Sequence, residues 1–308
     1  MASSKYDTHV DLSREDNSHT LMVELVGSSK RVLDVGCANG YLAEVLVGHG
    51  CKVSGVEYDP AAAEEARKHL ETLVVGDLEQ LDLVAELGEG RFDVIVFGDV
   101  LEHLRDPLPV LRQARSLLAP GGYVVISIPN VAHGAVRLTL LQGRFDYRPL
   151  GLLDNTHIRF FTRDNLKALL REAGFSATDF LRTTAGLFET ELGLTPDEVP
   201  AELVERVLED PDATTYQFVV RAVRDDADWA VERMRQEFEE RLEDAERRVA
   251  EVLADRDARL ATYHEQCTSR DAEIARLAAE LLDLELSKPV RAARRAEGLL
   301  GKVRGPGG

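Results

Sequence analysis

Between residues 31 and 128 five short apolar runs alternate with stretches of helical period, which restricts the chain to very few folds. The runs are RVLDV at 31–35, KVSGVE at 52–57, TLVV at 72–75, FDVIVF at 92–97 and YVVISI at 123–128. The helical stretches between them include 41–48, 61–70 and 108–118. Strands taken in turn with helices give a parallel sheet with helices on both faces. The near-continuous apolar run 92–97 suits a central strand covered on both sides. In such sheets ligands sit beyond the carboxyl ends of the strands, so the residues closing each run are the candidate site residues.

The first run leads into RVLDVGCANGY. Gly36 and Gly40 let the backbone bend tightly and let a ligand approach it. The helix opening near Tyr41 offers free N–H groups to that ligand. The spacing is G-x-A-x-G, whereas a dinucleotide fingerprint places its last glycine one position further on. An acidic residue followed by this turn resembles class I S-adenosylmethionine-dependent methyltransferases, with Ala38 replacing their middle glycine. The resemblance implies S-adenosylmethionine as cofactor, bound by Asp34, Gly36, Ala38 and Gly40. The alternative is an ordinary strand–turn–helix. Glu57 closes the second strand 21 positions after Gly36, where an acidic side chain accepts from a ribose diol. Tyr58 follows and is placed to pack on adenine. By the same resemblance Asp77 accepts from the adenine amine and the Leu78 N–H faces the ring, although Gly-Asp is also a common loop dipeptide.

The 308 residues carry 55 acidic and 37 basic side chains, a net charge of −18. That balance excludes sequence-independent nucleic-acid binding and docking on anionic lipid. Cys37, Cys51 and Cys267 form no C-x-x-C pair, as expected of a reducing cytoplasm. The opening MASSKYDTHVDLSRED is irregular and lacks the apolar core of a signal peptide. No apolar run reaches the roughly 20 residues of a membrane span.

Ser18–Gly27 reads as a short helix capped by Ser18, with His19 on the surface. Residues 131–161 interrupt the alternation and read as an insertion forming much of the acceptor site. A helix over 162–173 capped by Thr162, a strand over 175–183, an acidic helix over 196–208 and a strand over 214–223 follow. The whole is a doubly wound, mostly parallel seven-stranded α/β sheet, its last strand antiparallel at the edge. Gly and Pro vanish between 225 and 288. Leu260, Tyr263, Cys267, Arg270, Ile274, Leu277, Leu281 and Leu284 follow a heptad, whereas Val231, Met234, Phe238, Ala245, Val249 and Val252 fit less regularly. The expected domains are 1–224 for chemistry, 225–288 as a coiled coil making a homo-oligomer, and 289–308 as a basic, partly disordered tail begun at Pro289.

Asp99, Glu102 and His103 form D-x-x-E-H at the end of the fourth strand, on spacings that let a helical turn converge them. The Leu-Glu-His run, the Pro-Gly-Gly turn at 120–122 and Thr156-His157 before Phe161-Thr162 resemble ubiquinone-biosynthesis O-methyltransferases. The small-RNA 2′-hydroxyl methyltransferase domain is similar and holds a divalent ion with E-x-x-E-H and a distant His. That resemblance, covering 15–223, implies Asp99, Glu102, His103 and His157 as ligands of Mg²⁺ or Mn²⁺. Two other readings stay open: His103 as a general base, and Glu102 and His103 merely shaping the pocket.

The expected reaction is methyl transfer to a hydroxyl of a small molecule or sugar, with a glycan favoured. Arg137, Arg144, Tyr147, Arg148 and Arg159 are candidate acceptor contacts, or simply balance an acidic surface. The competitors are an NAD-dependent oxidoreductase and a non-catalytic coiled-coil scaffold.

Overall fold

The computed structural model describes residues 16–286 and 288–303. The expectations for residues 1–15, for the side chains of Val231, Met234 and Phe238, and for 304–308 lie outside the described residues. The chain divides into two compact units between Met234 and Arg235.

In the first unit the strands are β1 (Arg31–Val35), β2 (Lys52–Glu57), β3 (Thr72–Val75), β4 (Phe92–Gly98), β5 (Leu118–Pro129), β6 (Phe175–Thr184) and β7 (Thr215–Arg224). The helices are α1 (Ser18–Val26), α2 (Tyr41–Gly48), α3 (Pro60–Ala66), α4 (Leu83–Leu87), α5 (Pro107–Leu117), α6 (Gly134–Leu141), α7 (Arg163–Glu172) and α8 (Ala201–Leu208). They make one seven-stranded sheet in the order β3-β2-β1-β4-β5-β7-β6. The first five strands are parallel, and β7 is antiparallel to both β5 and β6. The last strand is therefore antiparallel as expected but interior: β6 takes the edge. β6 alternates poorly and is half-exposed, whereas β7 buries Phe218, Val219, Val220, Ala222 and Val223. Burial of that apolar run requires a strand on each side.

The sheet separates two apolar layers. Leu33, Val35, Ile95, Phe97, Val124 and Ile126 face α4, α5 and α7. Val32, Val94, Val96 and Val125 face α1 and α2 through Met22 and Leu46. The period of two along each strand assigns the layers. Tyr123 anchors α1, its hydroxyl donating to the Leu25 carbonyl at 2.8 Å and the Val26 carbonyl at 3.1 Å. Asn17, not Ser18, caps that helix, its side chain accepting from the His19 N–H at 2.9 Å. Thr162 and Asn165 form a reciprocal capping box on α7. The 131–161 insertion is partly regular: α6 packs Leu138 against Leu187, Leu194 and Val199.

The described residues of the second unit are helical, and its first helix begins before the boundary, at Ala227. α9 (Ala227–Leu286) is 60 residues, about 90 Å of helix. A further helix, α10 (Lys288–Val303), occupies most of the basic tail, and the end of that tail, 304–308, lies outside the described residues. Proline fits the first turn of a helix, where its missing N–H costs nothing, so Pro289 begins α10 rather than only ending α9. Among the described residues no helix is long and apolar enough to cross a membrane.

Candidate active site

The β1–α2 turn is built from left-handed residues: φ is +75° at Gly36, +47° at Ala38 and +84° at Gly40. A Cβ on Gly36 would lie 2.7 Å from Val100 Cγ2, and one on Gly40 2.9 Å from Ala66 Cα. Both glycines are thus demanded by space as well as by φ. Ala38 tolerates its φ at a cost of ~1 kcal/mol. Glu57, at the tip of β2, accepts from the Ala38 N–H at 2.8 Å and from the Asp59 N–H at 2.9 Å. One lone pair on each oxygen remains, since an ionised carboxylate has about four acceptor sites.

Asp34 is 3% exposed, and its Oδ2 has no hydrogen-bond partner. Burial, then the charge of Glu57, pushes its pKa up to about 7. Asp77 is half-buried and already turned inward on its own loop, accepting from the Glu79 N–H at 3.0 Å and the Gln80 side-chain amide at 2.8 Å. Leu78 packs half-buried against the core, and Tyr58 is 73% exposed.

His19 is half-buried rather than fully on the surface. Its ring lies edge-on to Tyr41 with centroids 5.2 Å apart. Burial lowers its pKa against the opposing pull of Asp99. A His near a helix N-terminus gives no sequence signal of this; only the placement of α1 beside the turn does.

At the tip of β4 the four residues expected to meet do not all do so. Ligand-capable atoms of Glu102, His103 and His157 lie within 4.8 Å of one another. Asp99 is not in that group, a correction to the expected set. Its backbone is left-handed (φ +55°), and its Oδ1 accepts from Ser127 Oγ at 2.9 Å and from Gln217 Nε2 at 2.8 Å. The shorter Asp side chain is held back on β5 and β7. Sequence reasoning missed Ser127 and Gln217, because β7 reaches this place only through its antiparallel pairing, Pro129 opposite Gln217.

Glu102 is 1% exposed and neither carboxylate oxygen has a partner. Burial, and secondarily Asp99, raises its pKa well above the usual range. Its carbonyl accepts from the Ile158 and Arg159 N–H groups, both at 3.0 Å. This joins the insertion to the β4 tip and carries His157 to His103, ring centroids 5.0 Å apart. His103 Nδ1 lies 3.2 Å from the Thr156 carbonyl. Donation there fixes the tautomer with a lone pair on Nε2. His157 is buried, and burial, then His103, lowers its pKa.

The candidate arginines are largely committed to structure. Arg137 pairs with Asp210 at 2.5 Å, Arg144 with Glu198 at 3.0 Å, and Arg148 donates to the Leu192 carbonyl at 3.1 Å. Arg159 Nε donates to the Arg105 carbonyl at 2.7 Å. Tyr147 and Phe145 are exposed and stacked edge-on, centroids 5.6 Å apart.

A glycine turn from the first strand to the helix that follows it, with carboxylates at successive strand tips, defines a nucleoside-binding α/β domain. Residues 13–179 match the family model described as a methyltransferase domain, and the chain belongs to that family. It is an S-adenosylmethionine-dependent methyltransferase. A ubiquinone biosynthesis O-methyltransferase of Pseudomonas aeruginosa is 32% identical over 160 residues, covering 51% of this chain and 69% of that protein. One of Thiobacillus denitrificans is 31% identical over the same length and the same shares. A methyltransferase structure from Archaeoglobus fulgidus aligns at 18% identity with a TM-score of 0.47, over 67% of this chain and 94% of that one. The family match sets the oxidoreductase reading aside. The residues present fit the cofactor: Asp34 Oδ2 is buried without a partner, as a ligand bearing cations requires, and Gly36 and Gly40 keep the turn clear of side chains.

Proposed function

We propose that this chain transfers the methyl group to a hydroxyl of a small molecule or sugar, at Glu102, His103 and His157. The observation that carries the reading is the buried Glu102, both oxygens unpartnered, beside two imidazoles. Ionised, a carboxylate buried there without partners costs the fold several kcal/mol, a cost that a cation joining it offsets. The O-methyltransferase relatives support a hydroxyl acceptor. S-adenosylmethionine supplies a methyl carbon made electrophilic by its sulfonium. Asp34, Glu57, Asp77, Tyr58, the Leu78 N–H and the turn at Gly36, Ala38 and Gly40 are assigned to holding it.

Glu102, His103 and His157 would hold Mn²⁺ or Mg²⁺, which there would lower the pKa of the acceptor hydroxyl. One carboxylate and two imidazoles favour the first-row ion over Mg²⁺. Asp99 is left to orient the pocket wall. Without an ion, His103 Nε2 takes the hydroxyl proton directly; the Thr156 contact at 3.2 Å presents the Nε2 lone pair for either role. In both, the protein's main work is to align acceptor oxygen and methyl carbon.

A glycan remains the favoured acceptor, because the exposed Phe145–Tyr147 pair offers ring faces on which sugar C–H groups pack. Residues 1–224 are assigned to this chemistry, with 131–161 at the acceptor, and 225–288 to self-association. The decisive measurement is transfer of labelled methyl groups to candidate glycans and phenols. EDTA should abolish turnover, and Mn²⁺ should restore it better than Mg²⁺. Full turnover in EDTA, lost in His103→Ala, would transfer the role to the imidazole base.

A further inference from the structure

From Ala245 to Leu284 every side chain of α9 is exposed. The apolar ones are not scattered. Leu253, Leu260, Cys267, Ile274 and Leu281 recur every seven residues and take heptad position a. Leu242, Val249, Tyr263, Leu277 and Leu284 take position d, with Arg256 and Arg270 in the two remaining d positions of that span. The register holds from 249 to 284; one heptad earlier, between Leu242 and Val249, position a falls on Glu246. The two arginines, which look like interruptions, share a feature: each is followed by an aspartate at position e, as Arg256-Asp257 and Arg270-Asp271.

We propose that residues 249–284 form a parallel, in-register, two-stranded coiled coil with a second copy of this chain. The inference rests on the self-association reading and adds orientation, register and strand number to it. In parallel strands a d side chain enters a hole on the facing helix that includes the next e residue. Arg256 then meets the partner's Asp257, and Arg270 meets the partner's Asp271. Symmetry makes each contact twice, so four ion pairs offset the two layers of facing arginines. Arg256 already reaches Asp257 of its own chain at 2.6 Å, so both side chains point to the same side of the helix. In the layer of Ile274 and Leu277, a β-branched residue at a with leucine at d is the combination that favours two strands; Leu253, Leu260 and Leu281 at a carry no such preference. Arginine at d also suits two strands, since their narrow seam leaves its charged end at the edge in water.

The arrangement places Cys267 opposite its own counterpart. Cys37 and Cys51 are buried, so Cys267 is the exposed thiol. The test treats the full-length protein with diamide. Two Cys267 thiols give up two protons and two electrons, an S–S bond forms between them, and the N=N bond of diamide takes up both to become a hydrazine. The expected result is near-complete covalent dimer, independent of protein concentration and absent in Cys267→Ser. In the Cys267→Ser background, Ile274→Cys should cross-link equally well. Sedimentation equilibrium of the reduced protein should give a dimer. Asp271→Arg should weaken that dimer about tenfold, and adding Arg270→Asp should restore it. A monomer would overturn self-association altogether. A dimer that fails to cross-link at both 267 and 274 would overturn only the parallel register, and a trimer or tetramer only the strand number.

Discussion

Asp34 brings into the fold a buried carboxyl group whose pKa stands near 7. In the unfolded chain the same group titrates near 3.8, so the folded state holds its proton more tightly. The contribution of that proton to stability is full below about pH 4 and is lost as pH rises to about 7. The span corresponds to something on the order of 4 kcal/mol. Asp34→Asn has no proton to lose. Denaturant unfolding of the donor-free protein should therefore show the variant gaining on the parent between pH 5 and pH 8. A constant gap would remove the assignment. Donor binding should show the reverse dependence. A cationic ligand favours ionised Asp34, so affinity should rise with pH toward 7 and then level, and calorimetry should find protons released on binding near pH 6. At Ala38 the left-handed φ is expected to cost a fraction of a kcal/mol net of chain entropy. Ala38→Gly should raise stability by a few tenths of a kcal/mol, roughly 0.5 at most, with donor affinity unchanged; lower stability would mean that the alanine methyl packs usefully.

At the scale of elements, β7 is the strand that completes the acceptor side. Its insertion between β5 and β6 carries Gln217 to Asp99, and the contact supports a carboxylate on a strained backbone. Gln217→Leu keeps the bulk and removes the donor. A loss of about 1.5–3 kcal/mol in unfolding free energy is expected for a hydrogen bond to a charged group. A change under 0.5 kcal/mol would show that Ser127 alone suffices. The strands themselves were legible: 92–97 was expected where β4 runs Phe92–Gly98, and 214–223 where β7 runs Thr215–Arg224. Unbroken apolar runs and breakers lie within a few residues of each other, so they can be read locally. Helix α4 was not, because five residues at Leu83–Leu87 are too few to show a period. The interior place of β7 was not, because strand order depends on which edges remain free once β5 has paired.

For the whole molecule, division between Met234 and Arg235 leaves the catalytic fold with its own core. Deleting 225–308 should leave a protein that binds S-adenosylmethionine with the parent's affinity and sediments as a monomer. An unchanged oligomeric state would relocate self-association to the first unit.

The sequence by itself determined the alternation of strands and helices, the turn at Gly36–Gly40 and the carboxylates at Asp34, Glu57 and Asp77. Each depends on residues a few positions apart, where backbone sterics and hydrophobic period act directly. The tertiary structure decided what met whom across long stretches of chain. It set His157 against His103, moved Asp99 away to Ser127 and Gln217, closed Arg137 on Asp210 and drew His19 in beside Tyr41. Those contacts follow from how the insertion and β7 dock on a sheet already formed, and docking depends on surfaces that no local pattern of residues specifies.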